Sequence, residues 1–201
     1  MAIFSDAAVD PLILARARRG DIKAHEILYR TYGGAVYSLA RHLVRQDAIA
    51  DEILQETFVE VISKIDGFKG NGSFAGWLRR IAVNKCLMHL RSSWHRRSQP
   101  LEVSGKSAQE PVETHGSGNP APETVQEQMD LEAALANLPA KARAVVWLHD
   151  VEGYTHGEIG QMMGKTASFS KSQLARAHEK LRDLLATANE NESCMQISNS
   201  Y

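Results

Sequence analysis

Apolar residues recur every three or four positions along most of this chain, the spacing of amphipathic helices. Asp10-Pro11 offers a capping acid followed by proline in a first turn, so a helix is expected to start there. Asp21 is expected to cap a second helix carrying Ile22, Leu28, Tyr29 and Tyr32. Gly33-Gly34 should weaken that helix before Val36, Leu39, Ala40, Leu43 and Val44 resume the pattern. Asp47 is the expected cap of a third helix, in which Leu54, Phe58, Val61 and Ile65 fall on one face and Asp51, Glu52, Gln55 and Glu56 on the other. Residues 66–73, DGFKGNGS, read as a loop. A helix from about Phe74 to Trp94 follows, with a core stripe of Leu78, Ile81, Ala82, Cys86 and Leu90, while Arg80, Asn84, Lys85 and Arg91 point elsewhere.

Residues 98–123 lose this periodicity and turn to Pro, Ser, Gly, Glu and Thr, the composition of a flexible linker. Helical periodicity returns at 124–188, where Leu135, Leu138, Ala142, Val145, Val146 and Leu148 form a small core. Thr155 and Glu158 make a capping box for a short helix through Met163. Gly164 can end it in a left-handed turn. Thr166 or Ser168 then caps a longer helix bearing Lys171, Arg176, Lys180 and Arg182 against the acid Glu179. A short helix, a glycine turn and a long basic helix are the arrangement of a helix-turn-helix, whose second helix is presented to the major groove; the alternative is an ordinary helical hairpin with a solvated basic face. Residues 189–201 read as a frayed tail. The expected fold is all-α: a helical domain at 10–97, a linker at 98–123, and a second helical domain at 124–188.

Overall charge adds little, since 23 bases and 24 acids leave a net charge of −1. Its distribution says more. Gln46 to Ser63 holds five acids and no Lys or Arg; Gly67 to Leu101 holds seven bases and no acid. Phe68, Phe74, Trp77 and Trp94 are interleaved with those bases. Cations meeting phosphates and rings facing unpaired bases suit a nucleic acid. The preceding acidic helix repels the same polyanion, so it should face a protein.

Two cysteines, Cys86 and Cys194, make no disulfide framework, which favours a reducing compartment. The N-terminus lacks the features of a secretory signal, and no apolar run is long enough to span a bilayer. A soluble, cytoplasmic protein is expected. Phe74 and Trp77 are better explained as packing anchors than as stacking platforms. Cys86, His89 and His95 lack the fourth ligand of a zinc site. His149 and His156 have no nucleophile pattern around them, and no phosphate loop or catalytic triad signature is present.

The stretch DEILQETFVEVISKIDGFKGNGSFAGWLRRIAVNKCLMHLR resembles region two of the extracytoplasmic-function sigma factors of bacterial RNA polymerase. LPAKARAVVWLHDVEGYTHGEIGQMMG through KSQLARAHEKLR is similar to region four of that family, and the two come in the family's order. The resemblance implies a non-enzymatic specificity subunit with no cofactor, whose partners are core RNA polymerase, promoter DNA and an anti-sigma factor. It puts core-polymerase binding on Asp51, Glu52, Gln55, Glu56 and Phe58. Opening of the minus-ten element and capture of its unpaired strand fall on Asp66, Phe68, Lys69, Gly70, Asn71, Trp77, Arg80, Asn84 and Lys85. Reading of the minus-thirty-five duplex falls on Ser168, Lys171, Ser172, Ala175 and Arg176. Ser170 stands where the family usually has an apolar residue and Gln173 where it has arginine. Phe169 can supply the missing volume by rotating the helix, so its groove-facing set stays open. The alternative is a stand-alone helix-turn-helix regulator, which would need a dimerisation surface.

Overall fold

The computed structural model describes Phe4 and residues 9–70, 72–98 and 131–198. Among these residues there are helices and turns and no strand. The expected linker lies outside them apart from Ser98, as do residues 124–130.

In the N-terminal half, α1 (Pro11–Arg18) and α2 (Ile22–Val44) meet at a corner fixed by Asp21. Its Oδ1 accepts from the N–H groups of Lys23 and Ala24, and its Oδ2 takes the Nε–H of Arg16 at 2.8 Å. The Arg16 hydrogen bond holds the Asp21 carboxyl below its ordinary pKa, helped by the two backbone donors against the cost of desolvation. The expected weak point at Gly33-Gly34 does not interrupt α2. A helical glycine costs only about 1 kcal/mol relative to alanine, and burial of Val36, Leu39 and Leu43 further along the same helix outweighs it.

α3 (Asp47–Lys64) begins one position away from the reading above. Gln46 occupies the cap, and Asp47 lies inside the first turn with Arg41 Nε 3.1 Å from its carboxylate. A turn at Ile65–Gly67 leads to the loop and α4 (Phe74–Ser98), where Ser73 Oγ accepts from the N–H of Gly76. α4 packs on both α2 and α3. Its apolar stripe is therefore wider than one partner would need: Val83 and Leu87 are fully buried with Leu78, Ala82 and Cys86, while Ile81 is only half-buried.

The C-terminal half comprises α5 (131–136), α6 (Ala140–Val146), a wider π-type turn at Trp147–Val151, α7 (His156–Met163) and α8 (Ala167–Ser198). The capping box is formed: Thr155 Oγ1 accepts from Glu158 N–H, and Glu158 Oε2 accepts from Thr155 N–H at 2.9 Å. Gly164 takes the left-handed conformation that ends α7, at φ 63°. Thr166, rather than Ser168, caps α8 by accepting from the Phe169 N–H. The segment expected to fray is instead helical through Ser198, since neither Gly nor Pro interrupts 167–198.

The two halves touch. Arg143 of α6 is buried and donates to the carbonyls of Leu138 and Leu43, the latter in the last turn of α2. Cations are favoured at a helix C-terminus; even so, burial pushes the Arg143 pKa down to about 10. Beside it the Trp147 ring stacks on His42 at 3.9 Å.

Candidate nucleic-acid and protein interface

The acidic face of α3 forms as the periodicity predicts. Asp51, Glu52, Gln55 and Glu56 are all exposed along one side, with Val59 also out in solvent, 67% exposed. Glu52, Gln55, Glu56 and Val59 edge a shallow groove closed by Glu60, Ser63, Lys64 and Lys85. Phe58 does not join them. It is 7% exposed and set edge-on against Tyr29 at 4.9 Å, so it supports the face from beneath.

Loop and α4 meet over a cluster of rings. Phe68, Phe74 and Trp77 lie with centroids 5.6–5.7 Å apart; the two phenylalanines are buried and Trp77 is half-buried. Arg18 reaches from α1 to donate to the Phe68 carbonyl, which pins the loop to the body. Asp66, Lys69 and Gly70 are exposed around this anchor. Gly70 has φ 78° and Gly72 φ 99°, backbone that L side chains rarely adopt, so the glycines are needed for the loop's course. Asn71 lies outside the described residues.

On α4, Trp77, Arg80 and Asn84 fall at i, i+3 and i+7 and share a face, with Arg80 and Asn84 exposed. Lys85 turns the other way. Its Nζ sits 3.0 Å from Glu60 and 3.4 Å from Glu56, so it is bound to the acidic helix. Hydrogen bonding to Glu60, then Glu56, raises the Lys85 pKa against desolvation, while Lys64 and then Lys85 lower that of Glu60. Arg79, half-buried one residue before Arg80, points toward the C-terminal half and was not among the sequence candidates.

The helix-turn-helix presents Ser168, Lys171, Ser172, Ala175 and Arg176 together on the exposed side of α8. Its phase is settled by the buried set Ser170, Leu174, Ala177 and Leu181. Ser170 points inward despite its hydroxyl because His156 Nδ1 lies 3.1 Å from its Oγ, which satisfies a buried polar atom. Phe169 is only partly buried, so no rotation is required. Behind α8, Asp150 bridges His149 at 2.8 Å and His178 at 2.6 Å, tying the π-type turn to the long helix. Among the described residues no group of three or more His, Cys, Asp or Glu is placed to hold a metal ion, and burial pushes the Cys86 thiol up to about 12. His95 has no described side chain.

Known proteins match this arrangement. The model of sigma-70 region 2 matches residues 28–96 and that of sigma-70 region 4 matches 128–181. The ECF RNA polymerase sigma factor SigM of Mycobacterium tuberculosis (strain ATCC 25618 / H37Rv) is 31% identical over 184 residues, covering 90% of this chain and 86% of SigM. The chain belongs to the ECF RNA polymerase sigma factors. A second relative, the ECF sigma factor SigE of Mycolicibacterium smegmatis, is 33% identical over 163 residues. That match spans 79% of this sigma factor and 60% of the length of SigE. The structure of the sigma factor RpoE in complex with the anti-sigma factor NepR from Bartonella quintana superposes with a TM-score of 0.52 at 21% identity, over 82% of this chain and 98% of the other. That of CnrH in complex with the cytosolic domain of CnrY gives 0.51 at 23% identity, over 88% and 96%. These two structures share the fold. In this sigma factor α2–α4 are thus region 2, and the helix-turn-helix is region 4. No helix among the described residues is long and apolar enough to cross a membrane.

Proposed function

We propose that this sigma factor docks on core RNA polymerase through Asp51, Glu52, Gln55 and Glu56, and directs it to promoters in the cytoplasm as a specificity subunit without catalysis of its own. The observation that carries the reading is the back-to-back arrangement of α3 and α4: an exposed acidic strip on one helix, an acid-free helix with rings at its base on the other. One face suits a basic protein surface and the other a polyanion. Phe58 and Phe68 stiffen these faces from within; Trp77, Arg80 and Asn84, with Asp66, Lys69, Gly70 and Asn71 of the loop, receive the minus-ten strand. Capture of an unpaired base there offsets an unstacking cost of a few kcal/mol. Ser168, Lys171, Ser172, Ala175 and Arg176 read the minus-thirty-five duplex from the major groove.

Lys85 has a double attachment in this scheme. Polymerase cations arriving at both Glu56 and Glu60 would compete with it for those carboxylates and free it toward the DNA on α4. An anti-sigma factor is the expected inhibitor, since two structures of this fold were solved with such a partner or a cytosolic domain bound.

The test is co-elution with core polymerase on a sizing column, beside the Asp51→Lys/Glu52→Lys variant. Stable association of the native chain, lost in the variant, is the expected result. Association that survives the double reversal would move the docking face elsewhere. Absence of association, with specific duplex binding by the free chain, would instead fit a stand-alone regulator.

A further inference from the structure

Ser170 is the polar member of an otherwise apolar stripe. It is fully buried on α8 with Leu174, Ala177 and Leu181, and it sits between Phe169 and Lys171 where the recognition face begins. A hydroxyl closed to solvent in this way needs a partner from the protein itself. That partner is His156, the first residue of α7, whose Nδ1 lies 3.1 Å from the Ser170 Oγ. One hydrogen bond therefore joins the N-terminus of the supporting helix to the first turns of the recognition helix.

The groups packed around that bond disfavour a charge on His156. The His149 ring stacks on it with centroids 4.4 Å apart and planes 18° apart. Asp150 holds His149 on one carboxylate oxygen at 2.8 Å and His178 of α8 on the other at 2.6 Å. Lys171 follows Ser170 on α8. α4, which also packs on α7, carries the exposed Arg80 and Arg79, the latter paired with Glu152. On α7 itself, Glu158 is engaged in the capping box with Thr155. A helix N-terminus is, in addition, a poor place for a cation. Desolvation, then His149 and Lys171, hold the His156 pKa below its ordinary 6.5 against the opposing pull of Asp150. For Asp150, desolvation pushes the carboxyl up, but hydrogen bonds from His178 and then His149 leave it below its ordinary range. It stays ionised at the mildly acid pH where His156 gains its proton.

α8 thus has two attachments on this side, and acid acts on them differently. The bond from Asp150 to His178, further along α8, persists. The bond to Ser170 cannot persist unchanged. A neutral ring can accept the Ser170 hydroxyl proton at Nδ1; in a protonated ring both nitrogens donate, and that hydroxyl proton must find another acceptor inside a closed site.

We propose that His156 is a positioning residue for the recognition helix: its neutral ring seats α8 through Ser170, and its protonation releases the first turns of α8, with Ser168, Lys171 and Ser172, while Asp150 keeps hold of His178. Reading of the minus-thirty-five duplex is therefore sensitive to mild acid. The duplex part rests on the function proposed above for α8; the seating part does not. A ring that holds its proton less tightly when seated gives a seat that is complete above the ordinary 6.5 and is lost as pH falls through the lowered value.

The experiment follows the full chain by nuclear magnetic resonance from neutrality to about pH 5, the range in which histidines titrate. Beside it stands His156→Gln, whose amide can still bond Ser170 but takes up no proton. Backbone amides of residues 168–172 should shift with the midpoint of the His156 ring in the native chain and lose that component in His156→Gln. Ser170→Ala, which removes the other partner, should uncouple the turn from the ring in the same way. Amides that ignore the His156 midpoint, or that shift alike in all three chains, would overturn the seating. Holoenzymes of the native chain and His156→Gln would then bind a labelled duplex pool, randomised over the minus-thirty-five element and enriched by the native holoenzyme at neutral pH. On acidification the native holoenzyme should lose about fivefold more affinity than His156→Gln, the ratio that one typical hydrogen bond supports. Parallel pH profiles, the mark of a merely structural role, would overturn the duplex part. If the native holoenzyme enriches no duplex, the proposed reading by α8 falls with it, and the resonance series still decides the seating.

Discussion

α4 and α8 are the two helices proposed to face DNA, and they keep their cations in different company. On α4, Arg79 is held by Glu152, Lys85 lies between Glu56 and Glu60, and Arg91 donates to the carbonyl of Leu87. On α8, Lys171 and Arg176 stand out in solvent with Ser168 and Ser172 beside them, over a buried stripe that fixes their direction. The face of α8 proposed to read duplex is already exposed. The helix that would receive an opened strand is still engaged by carboxylates from α3 and from region 4. Reading a duplex needs only a preformed face, whereas holding a melted strand is useful only once polymerase is present. The division of ion pairs follows that order of events.

The comparison breaks most severely at Gly160. A Cβ built there would lie 2.7 Å from the Thr166 carbonyl carbon and 2.8 Å from its oxygen, backbone that cannot swing aside. Gly160→Ala should therefore push α8 off α7 and destabilise region 4 by about 1–3 kcal/mol. Thermal unfolding should show the loss, and duplex binding should fall while core-polymerase association persists. An unchanged melting profile would mean that the α7–α8 approach is looser than described.

A smaller effect should come from pH. Desolvation raises the Glu152 carboxyl above its ordinary 4.5, against the opposing pull of Arg79, the Trp147 hydrogen bond and His42; Tyr154 lies in the same pocket. A carboxyl that binds its proton more tightly when buried favours the buried state as pH falls. Folding stability should thus gain a component as pH is lowered from neutrality through the raised Glu152 value toward 4.5, and lose it as pH rises. Glu152→Gln should lack that component in thermal unfolding followed against pH. Identical pH profiles of the two proteins would mean that the Glu152 carboxyl is not held in a desolvated site.

Much of this fold is legible in the sequence because it is written in local signals. Asp10, Asp21, Thr155, Glu158 and Gly164 each act within a few residues, and each does so in the structure as its chemistry dictates. The apolar stripes of α3 and of the C-terminal core follow from periodicity alone. The misreadings differ in origin. Gly33-Gly34 stays helical because α2 is clamped by its neighbours, whereas Phe58 lies on the apolar face that its spacing gives it, and only the docking role implied by the resemblance put it at the surface. Within the candidate site, the exposed acids of α3 and the face of α8 could be found from spacing. Arg79 with Glu152, and Lys85 with Glu60, could not, because 73 residues separate the first pair and the second joins two helices. Ser170 looked like a defect in the recognition helix until His156 supplied its partner.

The most direct measurement compares rescue by a pre-melted promoter. Holoenzymes carrying Asn84→Ala on α4, or Lys171→Ala/Arg176→Ala on α8, would be assayed for transcription from a closed duplex and from a template already opened over the minus-ten element. If α4 holds the opened strand and α8 reads duplex, opening the template should restore much of the Asn84→Ala defect and little of the α8 defect. Equal rescue of both variants, or rescue of the α8 variant alone, would contradict the division of labour between the two helices.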